Sequence, residues 1–202
     1  MIPTSRPIVA LTFDAGANDA GLSSILATLQ RTGTPATFFL TGDWMSSYPA
    51  QARVVCNGFR VGNHSLTHPY FTRLSDSQIG AEVLDAAAKT RTMSGANPAP
   101  LFRFPFGDRD ERTITAVNAL DYIPIRWTVD TLGWQGTSGG HSTASVLPRT
   151  LDNAQPGEIV LMHVGSHPTD HSTLDADALP QVIDQLRARG YAFVTLDALL
   201  TP

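Results

Sequence analysis

The sequence predicts an α/β fold in which a parallel sheet closes, or nearly closes, into a barrel within a single domain over residues 1–202. Short apolar, β-branched runs alternate with segments of helical period, which is typical of a parallel sheet. The many strand–helix units favour a barrel. A length of 202 residues also suits one domain with a substantial core.

The predicted elements follow one another in a regular order. Strands are expected in the apolar runs at 7–13, 36–40, 59–64, 101–105, 123–130, 158–163 and 192–196. Helices are expected at 22–33, 49–58, 75–95, 111–120, near 143–154, and at 174–190. The clearest helix, 75–95, has Ser75 as its N-cap, Gln78 to complete a capping box and Gly95 at its end.

Composition excludes several classes of function. The net charge of −4 is spread along the chain without a basic run, so neither nucleic acid nor an anionic membrane is an expected partner. No apolar run is long enough to enter and cross a bilayer, and the N-terminus lacks a signal-type pattern. The one cysteine, Cys56, allows no internal disulfide and lies among apolar residues, so we expect it in the core.

Polar residues follow or end the predicted strands. They are Asp14 after "ALTF", His64 after "FRVGN", Arg103 to Gly107 after "LF", Asp130 at the end of "IRWTV" and His163 at the end of "IVLM". Reactive groups of α/β barrels collect at the carboxyl ends of strands. Each residue alone also fits a simpler role, since Asp14 could cap a helix and Arg103 could lie on the surface.

The stretch "NHSLTHP" places His64 and His68 four residues apart. On one helical turn both imidazoles would lie on the same side, at a spacing that zinc sites often use. Pro69 disfavours helical geometry before it, so the turn should end near His68. A pair of structural or solvent-exposed histidines is the alternative interpretation.

Taken in order, "LTFD", "ATFFLTG", "NHSLTHP", "FRFPFG", "WTVDTLGW" and "IVLMH" resemble the motifs of the NodB-homology polysaccharide deacetylases, carbohydrate esterase family four. The resemblance covers nearly the whole chain. It implies a distorted (β/α) barrel of seven or eight strands and a divalent metal, zinc or alternatively cobalt. It also implies removal of acetyl groups from an N-acetylglucosamine polymer such as peptidoglycan or chitin, or from acetylated xylan.

The resemblance also assigns roles to individual residues. Those roles are Asp14 as catalytic base, His64 and His68 as metal ligands, Arg103 as the partner that positions the base, the backbone N–H of Phe106 as an oxyanion donor, and His163 as general acid. Trp134 would form an apolar wall for the acetyl methyl or the sugar face, with a core tryptophan as the alternative.

Two positions depart from the family pattern. The family usually has a metal-binding aspartate where this chain has Ala15, so the third ligand would be Asp14, Asp19, another nearby carboxylate, or solvent. The family also has an aspartate that orients the catalytic histidine where this chain has Gly133, which leaves Asp130 as the candidate for that role.

Two further histidines, His167 and His171, follow His163 at intervals of four residues. Gly165 and Pro168 interrupt any helix there, so we expect both in a loop and retain only His163 for the site.

The sequence therefore predicts a secreted or cell-envelope deacetylase, acting as a monomer on an acetylated polysaccharide or oligosaccharide, although this chain carries no export signal. An amidohydrolase acting on a small non-sugar amide is one alternative. A catalytically impaired carbohydrate-binding protein is another, suggested by Ala15 and Gly133.

Overall fold

The computed structural model describes residues 1–152 and 154–200. The strands of this part are β1 (Ile8–Ala15), β2 (Thr37–Leu40), β3 (Arg60–Asn63), β4 (Leu101–Phe102), β5 (Ile123–Pro124), β6 (Val129–Asp130), β7 (Glu158–His163) and β8 (Ala192–Phe193). Its α-helices are α1 (Leu22–Thr32), α2 (Gly42–Ser47), α3 (Pro49–Gly58), α4 (Asp76–Ser94), α5 (Glu111–Asn118), α6 (Thr143–Leu151) and α7 (Leu174–Ala188).

The predicted alternation of strands and helices is confirmed. At the start of α4 the Ser75 side chain accepts a hydrogen bond from the backbone N–H of Gln78, and the Gln78 side-chain oxygen accepts one from the backbone N–H of Ser75, as predicted. Gly95 ends this helix in the left-handed region, with φ of 75°. The helix expected near 143–154 is α6, and Asn153 lies outside the described residues.

The chain divides into two compact units. The first comprises residues 1–37 and 127–202, and its strands are parallel in the order β8–β1–β7–β6. Every residue of β1 is buried, which explains why its sequence is almost continuously apolar.

Among the described residues, no helix has the length and apolar character needed to cross a membrane.

The second unit comprises residues 38–126. Its strands follow the order β2–β3–β4–β5, with β2 starting one residue before the unit itself. An aromatic and aliphatic core forms where α4 and α5 pack on β4, and its buried members are Phe71, Ile79, Val83, Ala87, Phe102, Phe104, Val117 and Tyr122. Cys56 is buried, as predicted, and burial raises the pKa of its thiol.

The prediction of one strand over 123–130 is wrong. This run forms two strands because its two ends pair with different neighbours: β5 pairs with β4, whereas β6 pairs with β7. The apolar, β-branched residues of this run predict an extended backbone, but they do not predict which neighbouring strand each part of the run pairs with. The single domain over 1–202 stays a prediction.

Glu158, the first residue of β7, is a fully buried carboxyl group. Its Oε2 accepts a hydrogen bond from the backbone N–H of Gln155 at 3.3 Å, and its Oε1 has no hydrogen-bond partner among the described residues. Burial raises the pKa of Glu158 to about 7, against the opposing effect of the Gln155 hydrogen bond. The folded protein therefore keeps this proton at pH values where an unfolded chain has lost it.

The contribution of Glu158 to stability should decrease as the pH rises from 4.5 to about 7. In that window the folded state binds more protons than the unfolded state, so each pH unit costs up to about 1.4 kcal/mol. Glu158→Gln should remove this slope and raise the Tm at pH 8. Thermal unfolding between pH 5 and 8 checks the prediction, with Glu111→Gln, at an exposed position of α5, as the control. Equal slopes for wild type and Glu158→Gln would contradict it.

Candidate active site

A carboxylate and an imidazole lie side by side in the first unit, at the carboxyl ends of β1 and β7. Asp14 is the register partner of His163 on these neighbouring parallel strands. Register partners direct their side chains to the same face of a sheet. Asp14 is buried and His163 is partly exposed. Their predicted location at strand ends is confirmed, except that Asp14 belongs to β1 instead of following it.

His163 has an environment that suits a proton donor. Burial lowers the pKa of His163, but the adjacent Asp175 carboxylate and the charges of Asp14 and Asp130 outweigh it, so that the pKa lies above its usual value. A histidine with a raised pKa keeps its proton to higher pH and can deliver it as a general acid.

Trp134 gives this part of the first unit an apolar surface. Its ring centroid lies 6.3 Å from that of His163, and the residue is 47% exposed. The alternative of a core tryptophan is therefore wrong, and the exposed indole can contact a ligand beside His163.

Asp175, in the first turn of α7, is a site residue that sequence reasoning missed. Its Oδ2 accepts the backbone N–H of His163 at 2.8 Å and lies 3.6 Å from the Nδ1 of the same residue. The Asp130 carboxylate, expected to orient His163, instead accepts the backbone N–H of Leu132 at 2.9 Å. The structure thus brings Asp175 to the imidazole, and Asp130 contributes to it through charge.

In the second unit, His64 and His68 lie in a loop after β3, so the predicted helical turn is wrong. The backbone enters the left-handed region at Ser65 and at His68, with φ of 70° and 62°, which no helix allows. The two rings nevertheless meet, with centroids 4.8 Å apart and planes at 76°. Two strained residues in one short loop are often a feature of a functional site.

Hydrogen bonds within the loop and from its neighbours hold this conformation. The side chain of Asn63 accepts the N–H of Ser65 at 2.9 Å, and the Ser65 hydroxyl accepts the N–H of His68 at 3.0 Å. On α4, the carboxylate of Glu82 accepts three bonds, from the N–H groups of Leu66 and Thr67 and from the Thr67 hydroxyl, at 2.7–2.9 Å. Glu82 is a second residue that sequence reasoning missed.

The proton position on His64 follows from its partner. Its Nδ1 lies 2.9 Å from the backbone carbonyl of Arg103. A carbonyl can only accept, so Nδ1 carries the proton, and the neutral ring then presents the lone pair of Nε2 to a ligand. Metal-binding histidines are usually fixed in this manner by a backbone carbonyl or a carboxylate.

The metal binding predicted for His64 and His68 should weaken by about 10–100-fold in a Glu82→Ala variant, because the loop loses the carboxylate that fixes Leu66 and Thr67. Titration of the metal-free protein with Zn²⁺, followed by isothermal calorimetry, measures the effect. Asp85→Ala, at an exposed position on the same helix, is the matched control and should bind as wild type does. Equal affinities for Glu82→Ala and wild type would contradict a role for this contact.

Arg103 and Phe106 follow β4. Arg103 is fully buried, with its guanidinium 4.1 Å above the ring of Phe39, so the alternative of a surface arginine is wrong. Phe106 is exposed, has φ of 57°, and stacks on Tyr70 with ring centroids 4.3 Å apart. Its ring also lies 4.5 Å from that of His68. The positioning of Asp14 by Arg103 and the oxyanion role of the Phe106 N–H stay predictions.

The histidine pair fits a divalent metal as two of its protein ligands, because the imidazoles are adjacent and the tautomer of His64 is fixed. Catalytic zinc usually has three protein ligands. Within residues 1–152 and 154–200, no group of three or more His, Cys, Asp or Glu side chains is placed to hold a metal ion. Ala15 offers no donor, so a third ligand from Asp14 or Asp19 stays a prediction.

Comparison with known proteins identifies relatives along the whole chain. The family model described as "Polysaccharide deacetylase" matches residues 2–125. A peptidoglycan-N-acetylglucosamine deacetylase of Bacillus cereus is 30% identical over 98% of this chain and 70% of its own length.

Solved structures similar to this chain point to the same family. A peptidoglycan N-acetylglucosamine deacetylase matches with a TM-score of 0.88 and 29% identity over 98% of this chain and 89% of its own, which confirms the predicted fold class. A family-four carbohydrate esterase pseudoenzyme of Bacillus anthracis matches with a TM-score of 0.87 and 27% identity over 97% of this chain and 66% of its own. A mutant of that pseudoenzyme has restored enzymatic activity.

The family model spans more than half of the chain, and the Bacillus cereus relative aligns with nearly all of it. The strand-end residues Asp14, His64, Arg103 and His163 occupy the motifs through which the sequence resembles this family. The chain therefore belongs to the polysaccharide deacetylases of carbohydrate esterase family four.

Proposed function

We propose that this polysaccharide deacetylase is a metal-dependent enzyme that removes acetyl groups from N-acetylglucosamine units of a cell-wall polymer such as peptidoglycan. The observation that carries the proposal is the pairing of Asp14 with His163 on neighbouring strands, which sets a carboxylate beside an imidazole of raised pKa. Amide hydrolysis needs a base to activate water and an acid to protonate the leaving amine. The names of the relatives, which act on peptidoglycan N-acetylglucosamine, support the choice of substrate.

In this mechanism each residue moves or holds a defined proton. Asp14 takes a proton from the water that attacks the acetyl carbonyl, and the backbone N–H of Phe106 donates to the resulting oxyanion. His163 then gives a proton to the amine nitrogen as the C–N bond breaks, which releases acetate. Trp134 contacts the acetyl methyl or the sugar face through its exposed indole.

His64 and His68 would hold the divalent metal, zinc or alternatively cobalt. When bound, such an ion supplies Lewis acidity, which polarises a carbonyl oxygen and favours attack by water. With Ala15 in place of a third ligand, we expect weak binding that mild chelation reverses. Since a wall polymer lies outside the plasma membrane, we expect the protein to act as a secreted or envelope enzyme.

An acetate-release assay tests the proposal. Peptidoglycan, chitin oligomers, acetylated xylan and a simple N-alkyl acetamide are incubated with the protein in the presence of Zn²⁺, Co²⁺ or EDTA. We expect release from an N-acetylglucosamine polymer with either metal and none with EDTA, and no release from a double His64→Ala, His68→Ala variant. Faster release from the simple acetamide than from every sugar would favour a small-amide amidohydrolase instead.

A second candidate function is carbohydrate binding without catalysis. The similarity to a family-four pseudoenzyme and the Ala15 substitution favour it. Binding of chitin oligomers without acetate release, at every divalent metal supplied, would establish this function and overturn the enzymatic proposal.

A further inference from the structure

The carboxylate of Asp175 is buried in the first unit and is held by neighbours on two other segments. The residue is 3% exposed. Its Oδ1 accepts the Thr131 hydroxyl at 2.6 Å, and its Oδ2 accepts the N–H of His163 at 2.8 Å. A buried carboxylate with two short, charge-assisted bonds has a fixed orientation. Burial and these two hydrogen bonds therefore fix the position of the Asp175 carboxylate in the first unit.

The imidazole of His163 has its Nδ1 facing this carboxylate. Among the described residues, that nitrogen is buried and makes no regular hydrogen bond, and the Asp175 Oδ2 lies 3.6 Å away. Hydrogen bonds in catalytic sites are often long in the ligand-free protein and shorten when the substrate binds. A shortening of this contact on substrate binding would pair Nδ1–H with Asp175 and leave Nε2 for the substrate.

Gly133 makes room for the Asp175 carboxyl group. A Cβ atom built at Gly133 would lie 2.2 Å from the Oδ1 and 2.5 Å from the Cγ of Asp175. The three nearest atoms to that Cβ all belong to this one carboxyl group. Gly133 is not among the glycines with positive φ, so the backbone does not require glycine there. Glycine is required there by the available space, because a side chain at position 133 would occupy the volume that the Asp175 carboxyl group fills.

We propose that Asp175 is the positioning residue of His163, and that its carboxylate, delivered by α7, takes the place of a side chain at position 133. The inference rests on the proposed function, in which His163 is the general acid. Asp175 holds the proton on Nδ1 and fixes the plane of the ring. The proton on Nε2 passes to the amine nitrogen as the C–N bond breaks, and His163 becomes neutral while Asp175 stays ionised.

The charged groups around His163 come from three elements. Asp14 on β1 and Asp130 on β6 act on the imidazole by charge, whereas the Asp175 carboxylate on α7 also faces its Nδ1 at 3.6 Å and accepts the backbone N–H of the same residue. Asp175 therefore differs from the other two carboxylates in fixing the direction of the ring as well as its protonation.

The first test replaces Asp175→Asn, which preserves shape and removes the charge. We expect kcat for acetate release from chitin oligomers to fall at least about 10-fold with KM nearly unchanged, and the pKa of His163, followed by NMR, to fall. Asp177→Asn, at an exposed position in the same helical turn, is the matched control and should change neither. Wild-type kcat and an unchanged pKa for Asp175→Asn would overturn the proposal, as would a loss of kcat with an unchanged pKa.

The second test moves the carboxylate. Asp175→Ala should lose activity as Asp175→Asn does. In the double variant Gly133→Asp, Asp175→Ala, kcat should be at least about 10-fold higher than in Asp175→Ala, because the new carboxylate enters the space that the old one leaves. Gly133→Asp alone should lower the Tm, since both groups then compete for one volume. Circular dichroism confirms that each variant folds. A double variant that folds and recovers neither rate nor the His163 pKa would overturn the proposal.

The two tests also separate this inference from the proposed function. If the wild type releases no acetate from any substrate, the proposed function fails. The His163 pKa in wild type and in Asp175→Asn still reports the contact between these residues, because the titration needs no turnover.

Discussion

Asp14→Asn is expected to lower the rate of acetate release by about 10²–10⁴-fold, which corresponds to roughly 3–5 kcal/mol of barrier. An amide keeps the shape of the carboxylate but cannot take a proton from water. Because the proposed metal ligands are His64 and His68, the variant should bind Zn²⁺ as wild type does. Metal stoichiometry, measured beside the acetate-release rate with and without added Zn²⁺, checks both parts of this prediction.

The same variant distinguishes the base from a substitute ligand. If Asp14 has taken the ligand role that Ala15 leaves open, Asp14→Asn loses metal and activity together, and excess Zn²⁺ restores part of the rate. Asp19→Asn is the matched comparison: it should leave both quantities unchanged unless Asp19 is the third ligand. A metal-free Asp14→Asn protein rescued by Zn²⁺ would overturn the assignment of Asp14 as the base.

His163→Ala should cause a loss of similar size, about 10²–10⁴-fold in kcat, with the metal still bound. Without the imidazole, the leaving amine loses its proposed proton donor. The pKa of His163 lies above its usual value, so the wild-type rate should stay high past pH 6.5 and fall only when the raised pKa is passed. His163→Ala should lose this alkaline decline.

The control for His163 is a histidine of the following loop. His171 is exposed and has φ of 58°, a conformation that asparagine tolerates, so His171→Asn tests a lost imidazole without added strain. Its rate and pH profile should match those of wild type. Equal losses in His163→Ala and His171→Asn would contradict the assignment of His163 as general acid.

The sequence by itself determined the elements whose signals are local. The alternation of apolar strands with amphipathic helices, the capping box at Ser75 and the burial of Cys56 all depend on residues within a few positions of one another. The location of His163 at the end of β7 and of Asp130 at the end of β6 could be predicted for the same reason, since each strand pattern stops there.

Only the tertiary structure decided how the site residues are held. The loop of His64 and His68 is not helical because Asn63 and Glu82 accept hydrogen bonds from its backbone, and the spacing of the two histidines does not reveal the contact with Glu82 on α4. The run at 123–130 divides because its two ends pair with different strands. Gly133 removes the family's aspartate, and the carboxyl group of Asp175, distant along the chain, occupies the space beside it. The contacts made by Glu82, by the strand partners of β5 and β6, and by Asp175 all join segments that are far apart in sequence, and a pattern of neighbouring residues does not reveal such contacts.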